Sequence, residues 1–77
     1  MNELEFLREA ASENGLSRNQ TKDADFADAL LLRERLLTAG FVQRYGKDHV
    51  SMRGGTGLDF FVVVITDAGR KRLAELA

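Results

Sequence analysis

The side chains that could do chemistry in this sequence are its bases, and most lie in its second half. Arg33, Arg35, Arg44, Lys47, Arg53, Arg70, Lys71 and Arg72 all come after residue 32. A guanidinium or ammonium donates hydrogen bonds to phosphate or carboxylate, so the chemistry on offer is anion recognition. His49, Ser51 and Thr56 lie among Arg44, Lys47 and Arg53 and add neutral donors. Bond-making chemistry has less to work with. The chain has no Cys and one His, His49, which excludes disulfides, a thiolate nucleophile and a Cys–His pair. One imidazole also falls short of the three or four ligands that a zinc site takes. The carboxylates fall at predicted helix starts, where capping and the helix dipole account for them. No catalytic residue, metal ligand or cofactor is therefore assigned, and the chain is not expected to be an enzyme. Gly54-Gly55-Thr56-Gly57 lacks the Lys of a phosphate-binding loop and leads into a strand rather than a helix, so it reads as a loop tip.

Charge is divided along the chain although its net value is only -1. Residues 1–32 carry Glu3, Glu5, Glu9, Glu13, Asp23, Asp25 and Asp28 against Arg8, Arg18 and Lys22. The remainder sets its eight bases against Glu34, Asp48, Asp59, Asp67 and Glu75. A chain close to neutral can still turn a basic face toward a phosphate backbone. The competing reading is that these are ordinary solubilising charges. Seventy-seven residues, 44% apolar and 30% charged, fit one ordered domain over 1–77, near the lower size limit for a self-sufficient core. No apolar run approaches the roughly 20 residues needed to span a bilayer. The acidic start Met1-Asn2-Glu3-Leu4-Glu5 lacks the basic opening of a signal peptide, so a cytoplasmic location with no membrane partner is expected.

The element that must hold the second half together is Leu58 to Ile65, seven apolar residues in eight and rich in Val, Ile and Phe. It reads as a well-covered strand. Thr66 ends it and can N-cap a helix over 67–77, with Asp67 at the positive end of the dipole. That helix turns Leu73 and Leu76 inward and Arg70, Lys71 and Arg72 outward. Phe41 to Tyr45 is a second strand able to pair with 60–65. His49 to Arg53 either prolongs it or forms a short strand of its own. Upstream, residues 26–39 give the clearest helix: Phe26, Ala29, Leu30, Leu36 and Leu37 share a face, with Leu32 at its edge. Arg33 falls within that face, where it must snorkel or pair with a carboxylate, and Leu31 falls opposite. Gly40-Phe41 is a glycine-plus-hydrophobe helix stop.

Residues 3–13 read as a first helix, with Leu4, Leu7 and Ala11 recurring and Phe6 and Ala10 widening the stripe. Gly15-Leu16 looks like the same stop as Gly40-Phe41. Ser17-Arg18-Asn19-Gln20 matches a capping box, so a helix is expected to begin there. Running it unbroken into the next helix would place Asn19 and Lys22 on the apolar face. Residues 17–25 are therefore read either as a short separate helix followed by a turn or as a loop, with Asp23 or Asp25 able to cap the 26–39 helix.

Leu37-Thr38-Ala39-Gly40-Phe41-Val42-Gln43-Arg44 and, after a loop, Val64-Ile65-Thr66-Asp67-Ala68-Gly69-Arg70-Lys71-Arg72-Leu73 resemble the MarR and PadR families of bacterial winged-helix regulators. In those families a helix ends in such a Gly-hydrophobe motif, a β-wing comes next, and the returning strand ends in a Thr-x-Ala-Gly motif. The resemblance spans about residues 36–73. It implies an α+β fold, a small winged helix-turn-helix domain with helices packed on a two- to three-stranded antiparallel β-wing and a C-terminal helix. It implies double-stranded DNA as partner and a role in transcription regulation in a bacterium or phage. Residues 26–39 would lie in the major groove, presenting Leu31, Arg35 and Thr38 beside Asp28, with Arg35 suited to a bidentate contact to guanine. Arg44, Lys47, His49, Ser51, Arg53 and Thr56 would form the wing contacts to the backbone. The families dimerise through helices flanking the core, which here means the first and last helices of a homodimer. In the families, 17–25 corresponds to a second helix with more apolar residues than this chain supplies.

The alternative is a winged-helix protein–protein interaction module that binds no DNA. Asp28 and Glu34 on the exposed side of 26–39 favour it, and the acidic N-terminal half would then be the partner surface.

Overall fold

The computed structural model describes residues 1–46, 49–50 and 58–77, with side chains left aside at 49, 50 and 58. Its elements are α1 (Glu3–Ala10), β1 (Leu16–Asn19), α2 (Phe26–Ala39), β2 (Val42–Arg44), β3 (His49–Val50), β4 (Leu58–Ile65) and α3 (Asp67–Leu76). Three helices pack on an antiparallel sheet, an α+β architecture in which the central strand is the one the sequence marks most strongly. β4 lies between β1 and β2, in the order β1-β4-β2, with β3 also pairing to β4. Leu16 faces Val63 and Asn19 faces Phe60 across one edge of β4. Val42 faces Ile65 and Arg44 faces Val63 across the other. His49 faces Phe60 and Val50 faces Leu58, with a register irregularity between the two. The expected pairing of 41–45 with the Phe60–Ile65 run is thus present, and 49–50 form a short separate strand.

Strand alternation divides the sheet into two faces. Leu16, Val42, Phe61, Val63 and Ile65 point inward and meet Phe6, Leu7, Ala10, Phe26, Ala29, Leu32 and Leu36 in one core cluster. Phe61 is fully buried and lies 5.7 Å from Phe26, ring centre to ring centre. Burying such a side chain is worth about 2–3 kcal/mol, and β4 adds Val63 and Ile65 to the same cluster. Phe60, Val62 and Val64 alternate to the other face and stand outside that cluster, half-buried.

α1 starts on a capping box: Glu5 N–H donates to Asn2 Oδ1 (2.9 Å) and Asn2 N–H to Glu5 Oε1 (3.2 Å). It ends at Ala10, three residues short of the expected end. Gly15, at φ +74°, sits in a turn rather than in a helix cap. A Cβ there would stand 2.4 Å from the Val63 carbonyl oxygen, so close approach to β4 demands glycine as much as the backbone angle does.

The helix expected to begin at Ser17 is a strand. Leu16–Asn19 pairs with β4, and residues 20–25 form turns rather than a helix. Among the described residues, α2 is therefore preceded by a strand and a turn, not by a helix. The capping-box pattern lost because ladder hydrogen bonds to β4, plus inward burial of Leu16 and Arg18, outweigh one local cap. Neither predicted cap of α2 is formed. Asp23 Oδ2 accepts from Asn19 N–H (2.7 Å), and Asp25 occupies the N-cap position but directs its carboxylate at Arg18. The bond from Asn19 to Asp23 has a second effect. Ser17 O accepts from Arg18 Nη1 (2.8 Å), and Asn19 O from Lys22 and Asp23 N–H. The Arg18 side chain at Ser17 and the turn at Asn19 thus cover most of the outer edge of β1, where another strand would otherwise add.

α2 ends as the sequence predicts. Gly40 adopts φ +82°, with Gly40 N–H bonded to Leu37 O (3.1 Å) and Phe41 N–H to Leu36 O (2.9 Å), a Schellman closure. Thr66 N-caps α3 by accepting from Gly69 N–H (3.0 Å). Leu73 and Leu76 pack inward against the core as expected.

Candidate functional surface

α2 is anchored from its inner side, and this fixes what its outer side displays. Phe26, Ala29, Leu32, Arg33 and Leu36 are buried, so Ala27, Asp28, Leu31, Glu34, Arg35 and Thr38 are left exposed. Leu32 is deeper than its expected place at the edge of the stripe, while Leu30 and Leu37 are half-buried against the core. Leu31 is 69% exposed. Leu31, Arg35 and Thr38 recur at i, i+4 and i+7, which places them on one strip of helix surface. Arg44 is exposed on β2, at the register position opposite Val63. Helical spacing thus gathers three of the predicted contact residues, and Arg44 stands apart from them on a strand. His49 lies in β3 by its backbone. Lys47, Ser51, Arg53 and Thr56 lie outside the described residues.

Electrostatics on this surface are mixed. Asp28, Glu34 and Arg35 sum to one net negative charge on the outer side of α2. Several bases elsewhere are engaged within the fold. Arg33 is 2% exposed, pairs with Glu34 and lies 5.2 Å over the Phe61 ring, so the base in the apolar face both stacks and reaches a carboxylate. Arg72, expected on the outer side of α3, instead bonds Glu3 Oε2 through Nε (3.2 Å) and Nη2 (3.0 Å) and joins α3 to α1. Arg70 and Lys71 are exposed.

Arg18 is the residue that sequence reasoning missed. Its alternation with Leu16 puts it on the inner face of β1, at the margin of the core. Nη1 and Nη2 fork onto the two oxygens of Glu9, the latter at 3.1 Å, and Nε donates to Asp25 Oδ1 at 3.0 Å. The hydrogen bonds to Glu9 push its pKa further above the ordinary arginine value; burial opposes this, and Asp25 adds to it. An arginine between Ser17 and Asn19 carries no periodic signal that would have shown this.

The chain matches no family model, no curated protein and no solved structure.

An open depression of about 350 Å³ lies at Asn19, Thr21, Asp59 and Phe60. Asn19 Oδ1 already accepts from Thr21 N–H (2.9 Å) and Oγ1–H (2.7 Å). Among the described residues its lining holds one carboxylate beside an amide, a hydroxyl and a phenyl ring. No group of His, Cys, Asp or Glu among the described residues could hold a metal ion. No helix among them is long and apolar enough to cross a membrane.

Proposed function

We propose that this chain is a small winged-helix DNA-binding protein of the transcription-regulator type, using the outer side of α2 and the segment from Arg44 onward. The observation that carries the reading is the exposure of Leu31, Arg35 and Thr38 on one strip of α2, whose C-terminal end leads directly into β2 and Arg44. Arg35 would address a base edge or a phosphate, and Arg44, Lys47 and Arg53 the backbone. The partner is double-stranded DNA, and the setting is the bacterial cytoplasm for a regulator of bacterial or phage origin.

A second reading has its own support. The turn at residues 20–25 replaces a helix before α2, and Asp28 and Glu34 flank the bare Leu31. Those features suit a protein-docking module better than a phosphate backbone. An amide NMR titration with a mixed-sequence duplex separates the two. With about four phosphates neutralised, DNA affinity should fall about a hundredfold between roughly 50 and 200 mM salt. Salt-sensitive shifts confined to 31–38 and 44–57 support the DNA reading. Absence of shifts at low salt removes it and leaves the docking module. Changing Arg44, Lys47 and Arg53 together to Ala should abolish DNA binding and spare a protein partner.

A further inference from the structure

We propose that Asn14-Gly15 is a modification site, where the folded chain converts Asn14 to aspartate and isoaspartate with loss of ammonia. The nucleophile is the main-chain nitrogen of Gly15. Having given its proton to solvent base, it attacks the side-chain carbonyl carbon of Asn14. The new C–N bond closes a five-membered succinimide, and the bond to Nδ2 breaks as ammonia leaves with a proton from solvent. Water then opens the ring at either carbonyl. One opening gives aspartate. The other gives isoaspartate, in which the main chain runs through the side-chain carbonyl. Water is the only co-reactant, and nothing is oxidised or reduced.

The chain has three asparagines, Asn2, Asn14 and Asn19, and they differ in the features this step depends on. Asn2 Oδ1 accepts from Glu5 N–H (2.9 Å) as a helix cap. Asn19 Oδ1 accepts from Thr21 N–H (2.9 Å) and Oγ1–H (2.7 Å). Asn14 is exposed in a turn, and its side chain makes no hydrogen bond among the described residues. Asn2 and Asn19 are followed by Glu3 and Gln20, whose Cβ atoms crowd the nitrogen, and Gln20 N–H is also held by Asp59 O (2.8 Å). Asn14 is followed by glycine at φ +74°, with no Cβ beside the nitrogen. That glycine is imposed by packing, because a Cβ would stand 2.4 Å from Val63 O. Packing therefore fixes glycine at 15, and glycine at 15 activates Asn14. One bond opposes the step: Gly15 N–H donates to Ser12 O (3.0 Å). Releasing it and reshaping an exposed turn should slow the reaction about five- to thirtyfold relative to an unstructured peptide. The isoaspartate form adds a methylene to the main chain between Glu13 and Gly15. Ser12 Oγ lies 2.6 Å from Glu9 O and 3.0 Å from Gly15 O, so the turn has a set length, and the longer chain should disturb the delivery of Leu16 to Val63.

The test is to age the full chain at neutral pH and physiological temperature beside a synthetic peptide of residues 9–18. Trypsin cuts after Arg8 and Arg18, so both are read as the same fragment by mass spectrometry. Conversion at residue 14 is expected, about five- to thirtyfold slower than in the peptide, with one heavy oxygen gained in heavy-oxygen water and labelling by isoaspartyl methyltransferase. Asn14 is exposed, so Asn14→Gln should fold and should abolish the product. A rate more than about a hundredfold below the peptide overturns the proposal. So does earlier conversion at Asn2 or Asn19, or an Asn14→Gln chain that ages in the same way. Asn14→Asp carries the new charge without the added methylene. Amide shifts at 12–19 that appear in the aged chain and not in Asn14→Asp are expected, and an aged chain that matches Asn14→Asp overturns the lengthened turn. None of these readouts involves DNA, so the modification and the DNA reading stand or fall separately.

Discussion

Two junctions hold the helices to the sheet, and they work by opposite means. At the α2–α3 junction the backbones themselves meet. Thr66 Oγ1–H donates to Gly40 O (2.6 Å), and Thr66 N–H donates to Phe41 O (3.0 Å). Gly69 packs so tightly beneath them that a Cβ would stand 1.9 Å from Phe41 O. At the α1–α2 junction three side chains do the joining, with Arg18 forked onto Glu9 and reaching Asp25. The first junction is rigid because backbone atoms cannot repack, and it is specified by small residues. The second is held by long side chains whose energy is the difference between attraction and desolvation. This contrast is why one junction leaves a motif in the sequence and the other does not.

Gly69 is where the contrast is most exposed to failure. Gly69→Ala gains about 1 kcal/mol of helix propensity but must displace a carbonyl, so a net loss of about 3 kcal/mol or more is expected in urea unfolding. Gly40→Ala is the control. It has open space around its Cβ and only the positive φ to oppose it, so it should cost about 1 kcal/mol. Equal costs for the two would mean that the backbone contact at Gly69 relaxes freely and the junction is not rigid.

Arg18→Ala comes next. Its side chain is 13% exposed, but Glu9 and Asp25 are 41% and 39% exposed and regain water when it is lost, so the expected cost is about 1–2 kcal/mol. Because the folded-state pKa of Arg18 is raised, its contribution is fully present below the unfolded value and is lost only in strong alkali. Ionisation of Arg18 should therefore add no pH dependence to the Arg18→Ala deficit across the neutral range. A loss larger than that of Gly69→Ala would reverse the ranking of the junctions. The smallest effect is expected for Glu3→Gln, which removes the charge facing Arg72, a guanidinium 37% exposed against 13% for Arg18. About 0.5 kcal/mol, screened away by salt, is anticipated from the thermal midpoint. A larger loss would make the α1–α3 contact a third junction of comparable weight.

These junctions also explain what was legible. Gly40-Phe41 and Thr66-Asp67-Ala68-Gly69 are the segments on which the proposed winged-helix reading rests, and in the fold they touch one another. Gly40 closes a helix, Thr66 caps one, and Gly69 admits a carbonyl. The motif therefore speaks for how a helix, a strand pair and a second helix are joined, and it says little about what the outer surface binds. That is why the fold was more legible than the site. Leu31, Arg35 and Thr38 could be placed on the exposed side of α2 by periodicity alone, but the charge they share the surface with depends on which arginines the fold uses internally. Arg72 looked exposed by periodicity and is tied to Glu3.

Local sequence was enough to specify α2, β4 and α3, because the two helices repeat apolar residues at the helical period, β4 is a near-continuous run of β-formers, and Gly40 and Thr66 end α2 and β4 with a specific backbone task. The Gly40 and Thr66 boundaries were set in the same way. Tertiary contacts, in contrast, made Leu16–Asn19 a strand. Four residues with one apolar side chain have no period to read, and their hydrogen bonds go to a partner more than forty positions away. Tertiary contacts likewise made Arg18 a core-margin residue, since burying a guanidinium is tolerable only where carboxylates from two other elements arrive beside it.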